Sequence, residues 1–154
     1  MANGGGFTLR ILGSDDLAAM HGMLTMFGIA FDDEPTYNDA RPDDAYLRRL
    51  LGSDTFVAIA ATNGDEVVGG LAAYELRKFE QARSEFYLYD LAVAEAHRRE
   101  GIATALIGEL RRVAAMRGGY VVFVQADLVD APAIALYTKL GVREDVLHFD
   151  IATD

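Results

Sequence analysis

Apolar positions recur along this chain in two rhythms, and the places where one gives way to the other mark the elements. Phe7–Leu12 alternates, the period of a strand with one buried face. Leu17, Met20, Leu24 and Phe27 then recur at three- and four-residue steps, the period of a helix packed by one side. Ser14 ahead of them is the expected side-chain cap, with Asp15 and Asp16 in the first turn where the helix dipole favours acids. The stretch from Gly28 to Arg41, which contains Pro35, predicts a loop. Pro42 suits the first position of a second helix, and Gly52 ends it. Phe56–Ala61 and Val67–Glu75 read as strands of a hairpin turning at Asn63-Gly64. Gly69 and Gly70 inside the second strand predict a bulge or a close backbone approach.

Lys78–Ser84 is polar and turns the chain, and Glu85–Val93 is aromatic and aliphatic, as a central strand should be. Gly101–Arg117 reads as a helix with Ile102, Leu106, Leu110 and Val113 on its inner face, stopped by Gly118-Gly119. Tyr120–Gln125 is a short strand. Pro132 opens another helix, which ends at Leu140-Gly141, and Val142–Ile151 returns as a final strand. The order is β-α-α-β-β-β-α-β-α-β. Strands alternating with helices late in the chain imply a partly parallel sheet in an α/β (α+β) fold. One domain over residues 7–154, behind a short flexible lead at 1–6, accounts for the whole chain.

Composition narrows the classes. In 154 residues, 51% hydrophobic content is enough for a substantial core. No apolar run is long enough to span a membrane, and Met1–Gly6 lacks the basic and apolar regions of a signal peptide. The absence of cysteine excludes disulfides and thiol catalysis, and the cytosol is the default compartment. A net charge of −10 argues against nucleic-acid binding and favours cationic partners. The charge is unevenly spread. Acids crowd residues 32–44 and 127–154, while arginines gather at 98–99 and 111–117.

Two features carry candidate chemistry. Arg98, Arg99, Gly101 and Ala103 stand between a strand end and a helix start, which aims backbone N–H groups at an anion. No Gly-Lys-Ser/Thr follows, so this is not a P-loop. One glycine is too few for a dinucleotide fingerprint. The bland alternative is a helix start with solvated arginines. Asp90 is a carboxylate near a strand end inside an apolar run. It is a general base, direct or through a water, or else a partner for a backbone N–H or an arginine. Glu85 is a second acid of this kind. Asp127, Glu144, Asp145 and Asp150 are candidates for receiving ammonium groups, or are simply surface acids. His148 belongs to the last strand, and three scattered histidines give no metal-ligand spacing.

The spacing Arg98-x-x-Gly101-x-Ala103 resembles the pyrophosphate loop of the GNAT acetyltransferase superfamily, and the element order resembles its fold, a mixed central sheet with a V-shaped splay flanked by helices. The resemblance implies acetyl-coenzyme A as co-substrate and no metal. It assigns the pyrophosphate to Arg98, Arg99, Glu100, Gly101, Ile102, Ala103 and Thr104, and the pantetheine arm to Leu91, Ala92 and Val93. Ala133–Gly141 resembles the later helix whose tyrosine faces the coenzyme's sulfur, which makes Tyr137 the implied general acid. Its plain alternative is an aromatic that anchors the helix. Longer runs from Lys78 to Ile151, among them Tyr87, Tyr89–Val93, Val124–Asp127 and His148–Ile151, are similar to the aminoglycoside 3-N-acetyltransferases of this superfamily. That implies an aminoglycoside acceptor held by Glu85, Tyr89, Asp127, Glu144, Asp145 and Asp150, with Asp90 as base. The rival expectations are acetylation of another polyamine or a protein amine, and a non-catalytic acetyl-coenzyme A-binding module. A homodimer is among the assemblies the sequence allows.

Overall fold

The computed structural model describes residues 3–4 and 6–154, with side chains from Gly6 onward. Of the expected lead at 1–6, residues 1, 2 and 5 lie outside the described residues. Asn3–Gly4 (β1) pairs antiparallel with Phe7–Ile11 (β2). Helix α1, Leu17–Ala30, follows, and a single π-helical turn spans Pro35–Asp39. Then come α2, Asp44–Leu51; β3, Phe56–Asn63; β4, Glu66–Arg77; and β5, Ser84–Val93. The chain continues through α3, Ile102–Met116; β6, Gly119–Val124; and α4, Ala131–Leu140. The six strands lie in sequence order in one sheet, antiparallel except for the parallel pair β5–β6. Helices on both faces of one mixed sheet make this the α/β (α+β) class that the sequence pattern implies.

Two cores sandwich the sheet. On one face Phe86, Leu88, Ile102, Leu106 and Leu110 pack under α3. On the other, Met20, Met23, Phe27, Leu47 and Phe56 pack under α1 and α2. Burying a side chain of this size stabilises the fold by roughly 1.5–3 kcal/mol, so these clusters dominate stability. Gly69 and Gly70 mark close approach. A Cβ on Gly69 would stand 2.7 Å from Ile102 Cγ2, and one on Gly70 would stand 2.5 Å from Met23 Sδ. A bulge also borders Gly69, since β4 carries Val68 as an extra residue opposite Ala61 and Thr62, and a second lies in β5 opposite Ala72 and Ala73.

Several sequence expectations are corrected. Ser14 does not cap α1. Asp16 stands at that position, and its carboxylate accepts from the Gly13 N–H at 2.8 Å and from Arg10 at 2.6 Å. The loop expected over 28–41 is partly ordered, since α1 runs to Ala30 before the π turn. Helix α2 begins after Pro42, capped by the Asp43 side chain, which accepts from the Tyr46 N–H at 2.9 Å. The hairpin turns at Gly64-Asp65, because Asn63 still pairs with Glu66. The strand expected over Val142–Ile151 does not form within the chain. Residues 142–154 are irregular and exposed, with no neighbouring strand to complete their hydrogen bonds.

Candidate active site

Strands β5 and β6 pair from Ser84↔Gly119 to Leu88↔Val124 and then part. Beyond Leu88, β5 keeps its bonds to β4 as far as Gly69↔Val93, but its other edge is free. This is the splay that the sequence reading expected. Along it Tyr89–Val93 pair with no strand, as an added strand would require, and the Val93 carbonyl accepts from Arg98 Nε at 3.4 Å.

A bulge decides what faces this opening. Ala73 pairs with Leu88 and Ala72 with Asp90, so Tyr89 is an extra residue in β5. An extra residue shifts the two-residue alternation by one. Before the bulge, Phe86 and Leu88 point to the α3 core; after it, Leu91 and Val93 do. Asp90 therefore turns to the α1/α2 face, together with Ala92. Without the bulge it would share the face of Phe86 and Leu88.

The sequence reading passed over Tyr37, which is the partner of Asp90. Its hydroxyl donates to Asp90 Oδ2 at 3.0 Å. Its ring packs against Phe27 and Phe31, with centroids 5.9 and 5.5 Å away. Arg41 ties the turn that carries Tyr37 to α1. Its guanidinium reaches the Tyr37 carbonyl at 3.4 Å, the Thr25 hydroxyl at 3.1 Å and His21 Nδ1 at 3.2 Å, and it also bonds Asn38. Burial raises the Asp90 carboxyl above the ordinary aspartate range, and the Tyr37 bond partly opposes that rise. Burial, then the Asp90 charge, pushes the Tyr37 phenol well above its usual value, so it stays a donor.

Asp90 lines a slot of about 150 Å³ beside α1 and α2, together with Phe27, Tyr37, Phe56 and Tyr74. Beside it an aromatic row crosses the sheet. Phe56, Tyr74, Tyr89, Tyr87 and Phe123 follow one another at centroid separations of 5.4, 5.8, 5.4 and 4.6 Å. The Tyr87 hydroxyl donates to Gln125 at 2.9 Å. Only Tyr89 of this row was legible as a site residue.

The anion loop lies at the wide end of the splay. Arg99 and Gly101 both take positive φ, 66° and 81°. The first helical bond of α3 is from the Ala105 N–H to the Gly101 carbonyl at 3.0 Å, so the N–H groups of Ile102, Ala103 and Thr104 have no partner in the helix. These are free donors at a helix start, beside the exposed Arg98 and Arg99. Glu100 is engaged by His97 at 3.1 Å and points no positive group at an anion. The free donors and the bare edge of Tyr89–Val93 are the two things a pyrophosphate on an extended amide arm needs, and the loop fits such a group.

Tyr137 stands on α4 and packs against the α3-side cluster. Burial, then Asp130, raises its phenol above the usual range, so it is protonated at neutral pH. Asp90 and Tyr137 thus belong to opposite faces of the sheet, with the splay between them. The remaining acids are more dispersed. Glu85 sits at the start of β5, about 17 Å along the strand from Asp90 at ~3.3 Å per residue. It accepts from the Tyr120 hydroxyl and lies 3.9 Å from Lys78. Asp127 is exposed in the turn after β6. Glu144, Asp145 and Asp150 lie in the exposed C-terminal segment, where Asp145 pairs with Arg143 at 2.7 Å and Asp150 with His148 at 2.9 Å.

The pattern of the Acetyltransferase (GNAT) family matches residues 23–142. A solved aminoglycoside acetyltransferase from an uncultured soil metagenomic sample is 59% identical and superposes with a TM-score of 0.94, over 96% of this chain and 99% of that one. Another soil metagenomic aminoglycoside acetyltransferase, solved in complex with sisomicin, is 29% identical with a TM-score of 0.89, over 97% of each chain. Rat N-acetyltransferase 8B is 29% identical over 89 residues, which are 58% of this chain; the chain spans about two fifths of that protein, 40%. With the splay, the anion loop and the family pattern running together through the same residues, the chain belongs to the GNAT family of acetyltransferases.

Proposed function

We propose that this protein transfers acetyl from acetyl-coenzyme A to the 3-amino group of the deoxystreptamine ring of gentamicin-like aminoglycosides, directly within a ternary complex, and thereby confers antibiotic resistance. The bulge at Tyr89 carries this reading, because it sets a half-buried carboxylate on an aromatic face beside the splay. Support comes from the aminoglycoside acetyltransferases that match over nearly their whole length, one of them bound to sisomicin. Residues 7–154 act here as one catalytic domain.

The free N–H groups of Ile102, Ala103 and Thr104, with Arg98, Arg99 and Gly101, hold the coenzyme's pyrophosphate, and Leu91, Ala92 and Val93 hold its amide arm. Bound acetyl-coenzyme A supplies an activated thioester. Asp90 accepts a proton from the acceptor's ammonium, directly or through a water, and its raised pKa makes it a stronger base than an ordinary aspartate. The freed nitrogen lone pair forms the new bond to the thioester carbonyl carbon, and the carbon–sulfur bond breaks with its electron pair on sulfur. Tyr137, held protonated by burial, gives its hydroxyl proton to that thiolate, and the second proton that the acylated nitrogen sheds as the amide forms restores the phenol, directly or through a water. Approach from the two faces of the sheet lets base and acid act without meeting. Most of the acceleration comes from positioning, which converts a bimolecular step to a nearly unimolecular one.

An aminoglycoside carries several ammonium groups. Tyr89 and its neighbours Tyr74 and Tyr87 offer ring faces to cations. Glu85, Asp127, Glu144, Asp145 and Asp150 supply acceptor carboxylates, and the negative surface steers the substrate in.

The test is thiol release from acetyl-coenzyme A with gentamicin, kanamycin and spermidine as separate acceptors. Rapid release with gentamicin, and a product acetylated at the 3-amine, is the expected result. Release with spermidine alone would make the protein a polyamine acetyltransferase. Coenzyme binding with no release from any acceptor would point to a protein amine or a sensing module.

A further inference from the structure

Arg41 is the one cation between Gly28 and Asp44, a stretch that holds six acids. Balancing those acids would be its simplest use, yet among the described residues its guanidinium bonds no carboxylate. Its four partners are neutral. Nε donates to the Tyr37 carbonyl at 3.4 Å, one terminal nitrogen to His21 Nδ1 at 3.2 Å, and the other to the Thr25 hydroxyl at 3.1 Å and to the Asn38 side-chain oxygen. Arginine only donates, so His21 Nδ1 is bare and Nε2 carries the proton, which it gives to Asp44 Oδ1 at 2.8 Å. A planar fork spread over neutral acceptors fixes geometry; it does not balance charge.

These partners come from three elements. His21, Thr25 and Gly28 form one stripe of α1, Tyr37 and Asn38 belong to the π turn, and Asp44 opens α2. The turn is seated directly on that stripe. A Cβ on Gly28 would collide with the Asn38 amide, and the Gly28 carbonyl accepts from the Asp33 N–H at 2.9 Å. The turn itself is only five residues long and has no side-chain cap at its start. Its Tyr37 is gripped at both ends, since Arg41 binds the carbonyl and the hydroxyl donates to Asp90 Oδ2 at 3.0 Å. Packing of the Tyr37 ring on Phe27 and Phe31 is non-directional, so the guanidinium supplies the directional hold.

We infer that Arg41 is a positioning residue for the acetyl transfer: it clamps the π turn to α1 and so keeps the Tyr37 hydroxyl on Asp90. His21, braced by Asp44, holds the guanidinium in place. The inference rests on the reading of Asp90 as the base. The other ionisable groups around the Tyr37–Asp90 bond are Asp33 from the segment before the turn and Tyr74, Tyr87 and Tyr89 from the sheet. Arg41 reaches the bond through the Tyr37 backbone.

Arg41→Lys tests this, because it keeps the charge and loses the fork. The variant should retain its circular dichroism and its KM for acetyl-coenzyme A. On the acid limb kcat/KM should fall roughly two- to tenfold, the worth of one hydrogen bond, with the alkaline plateau kept. The limb should thus move to higher pH, as for Tyr37→Phe. In a Tyr37→Phe background the same change should leave the limb where it stands, since the bond to be positioned is gone. A second readout needs no turnover: the carbon-13 resonance of the Asp90 carboxyl in the coenzyme-free protein should titrate at higher pH in Arg41→Lys than in the unmodified chain. If Tyr37→Phe moves limb and resonance while Arg41→Lys moves neither, the inference is overturned and the base reading stands. A shift that persists in the Tyr37→Phe background also overturns it, because Arg41 would then act on Asp90 by another route. If the resonance moves and the limb stays, the base is not Asp90, and the role of Arg41 in transfer falls with that reading.

Discussion

Between Phe7 and Ala114 the apolar runs reach the interior; Phe27, Phe86, Leu88 and Leu110 are at most 2% exposed. From residue 115 to the end no side chain is buried, although β6 and α4 are as apolar in sequence as the strands and helices before them. The first region is held by two cores that clasp the sheet. The second is attached through the β5–β6 pairing, the packing of Val122, Val124, Leu136 and Tyr137 against the α3-side core, and side-chain contacts such as the Tyr87–Phe123 stack. The candidate site draws on both. Asp90, Tyr37 and the anion loop come from the clasped part, and Tyr137 and most of the dispersed acids come from the loose part. The proposed base, Asp90, is thus positioned by the clasped frame, while the proposed acid, Tyr137, depends on an element with no buried side chain.

The sharpest contrast is in stability. Phe86→Ala should cost about 3–5 kcal/mol in urea unfolding, since the cavity opens under α3 with nothing to collapse into it. Phe149→Ala in dilute protein should stay within about 0.5 kcal/mol, because the ring touches little. Comparable losses at the two positions would break the distinction between the regions.

Catalysis should divide along the same line. Asp90→Asn keeps the shape and removes the base, so kcat should fall by about 10²–10³ across neutral pH. A near-normal rate would move the base elsewhere. Tyr137→Phe should have a smaller effect, on the order of tenfold in kcat with coenzyme binding largely intact, because water can replace a donor on a half-exposed helix. An unchanged kcat would remove Tyr137 from the chemistry.

How much of this was legible follows from what each signal measures. Residue type found β5, the inner-face period and Gly118-Gly119 found α3, and Pro132 and Gly141 bounded α4, each nearly to the residue. Periodicity could not find the bulge at Tyr89, since counting alternation from Glu85 places Asp90 with Phe86 and Leu88. The shift exists only in the pairing with Ala72 and Ala73. Tyr37 was hidden for a related reason. It sits in a single π turn with no period, and it meets Asp90 only through a contact 53 residues apart. The row Phe56, Tyr74, Tyr87 and Phe123 likewise needs strand register before its members become neighbours. The expected strand at Val142–Ile151 is absent because these residues pair with no strand, although the outer edge of β6 is open.

The Tyr37 contact allows the smallest and most specific test. Asp90 must be ionised to accept a proton, so the rate falls as pH drops through its pKa. Burial raises that pKa, which places the acid limb of kcat/KM above the ordinary aspartate range. The Tyr37 hydroxyl bonds the ionised carboxylate and therefore lowers the value. Tyr37→Phe removes that bond and keeps the ring against Phe27 and Phe31. The acid limb should move to higher pH while the plateau rate at alkaline pH is retained. A purely structural tyrosine would lower the plateau and leave the limb where it was. A limb that moves to lower pH would mean that Tyr37 holds Asp90 in its protonated form, and the assignment of donor and acceptor between them would be reversed.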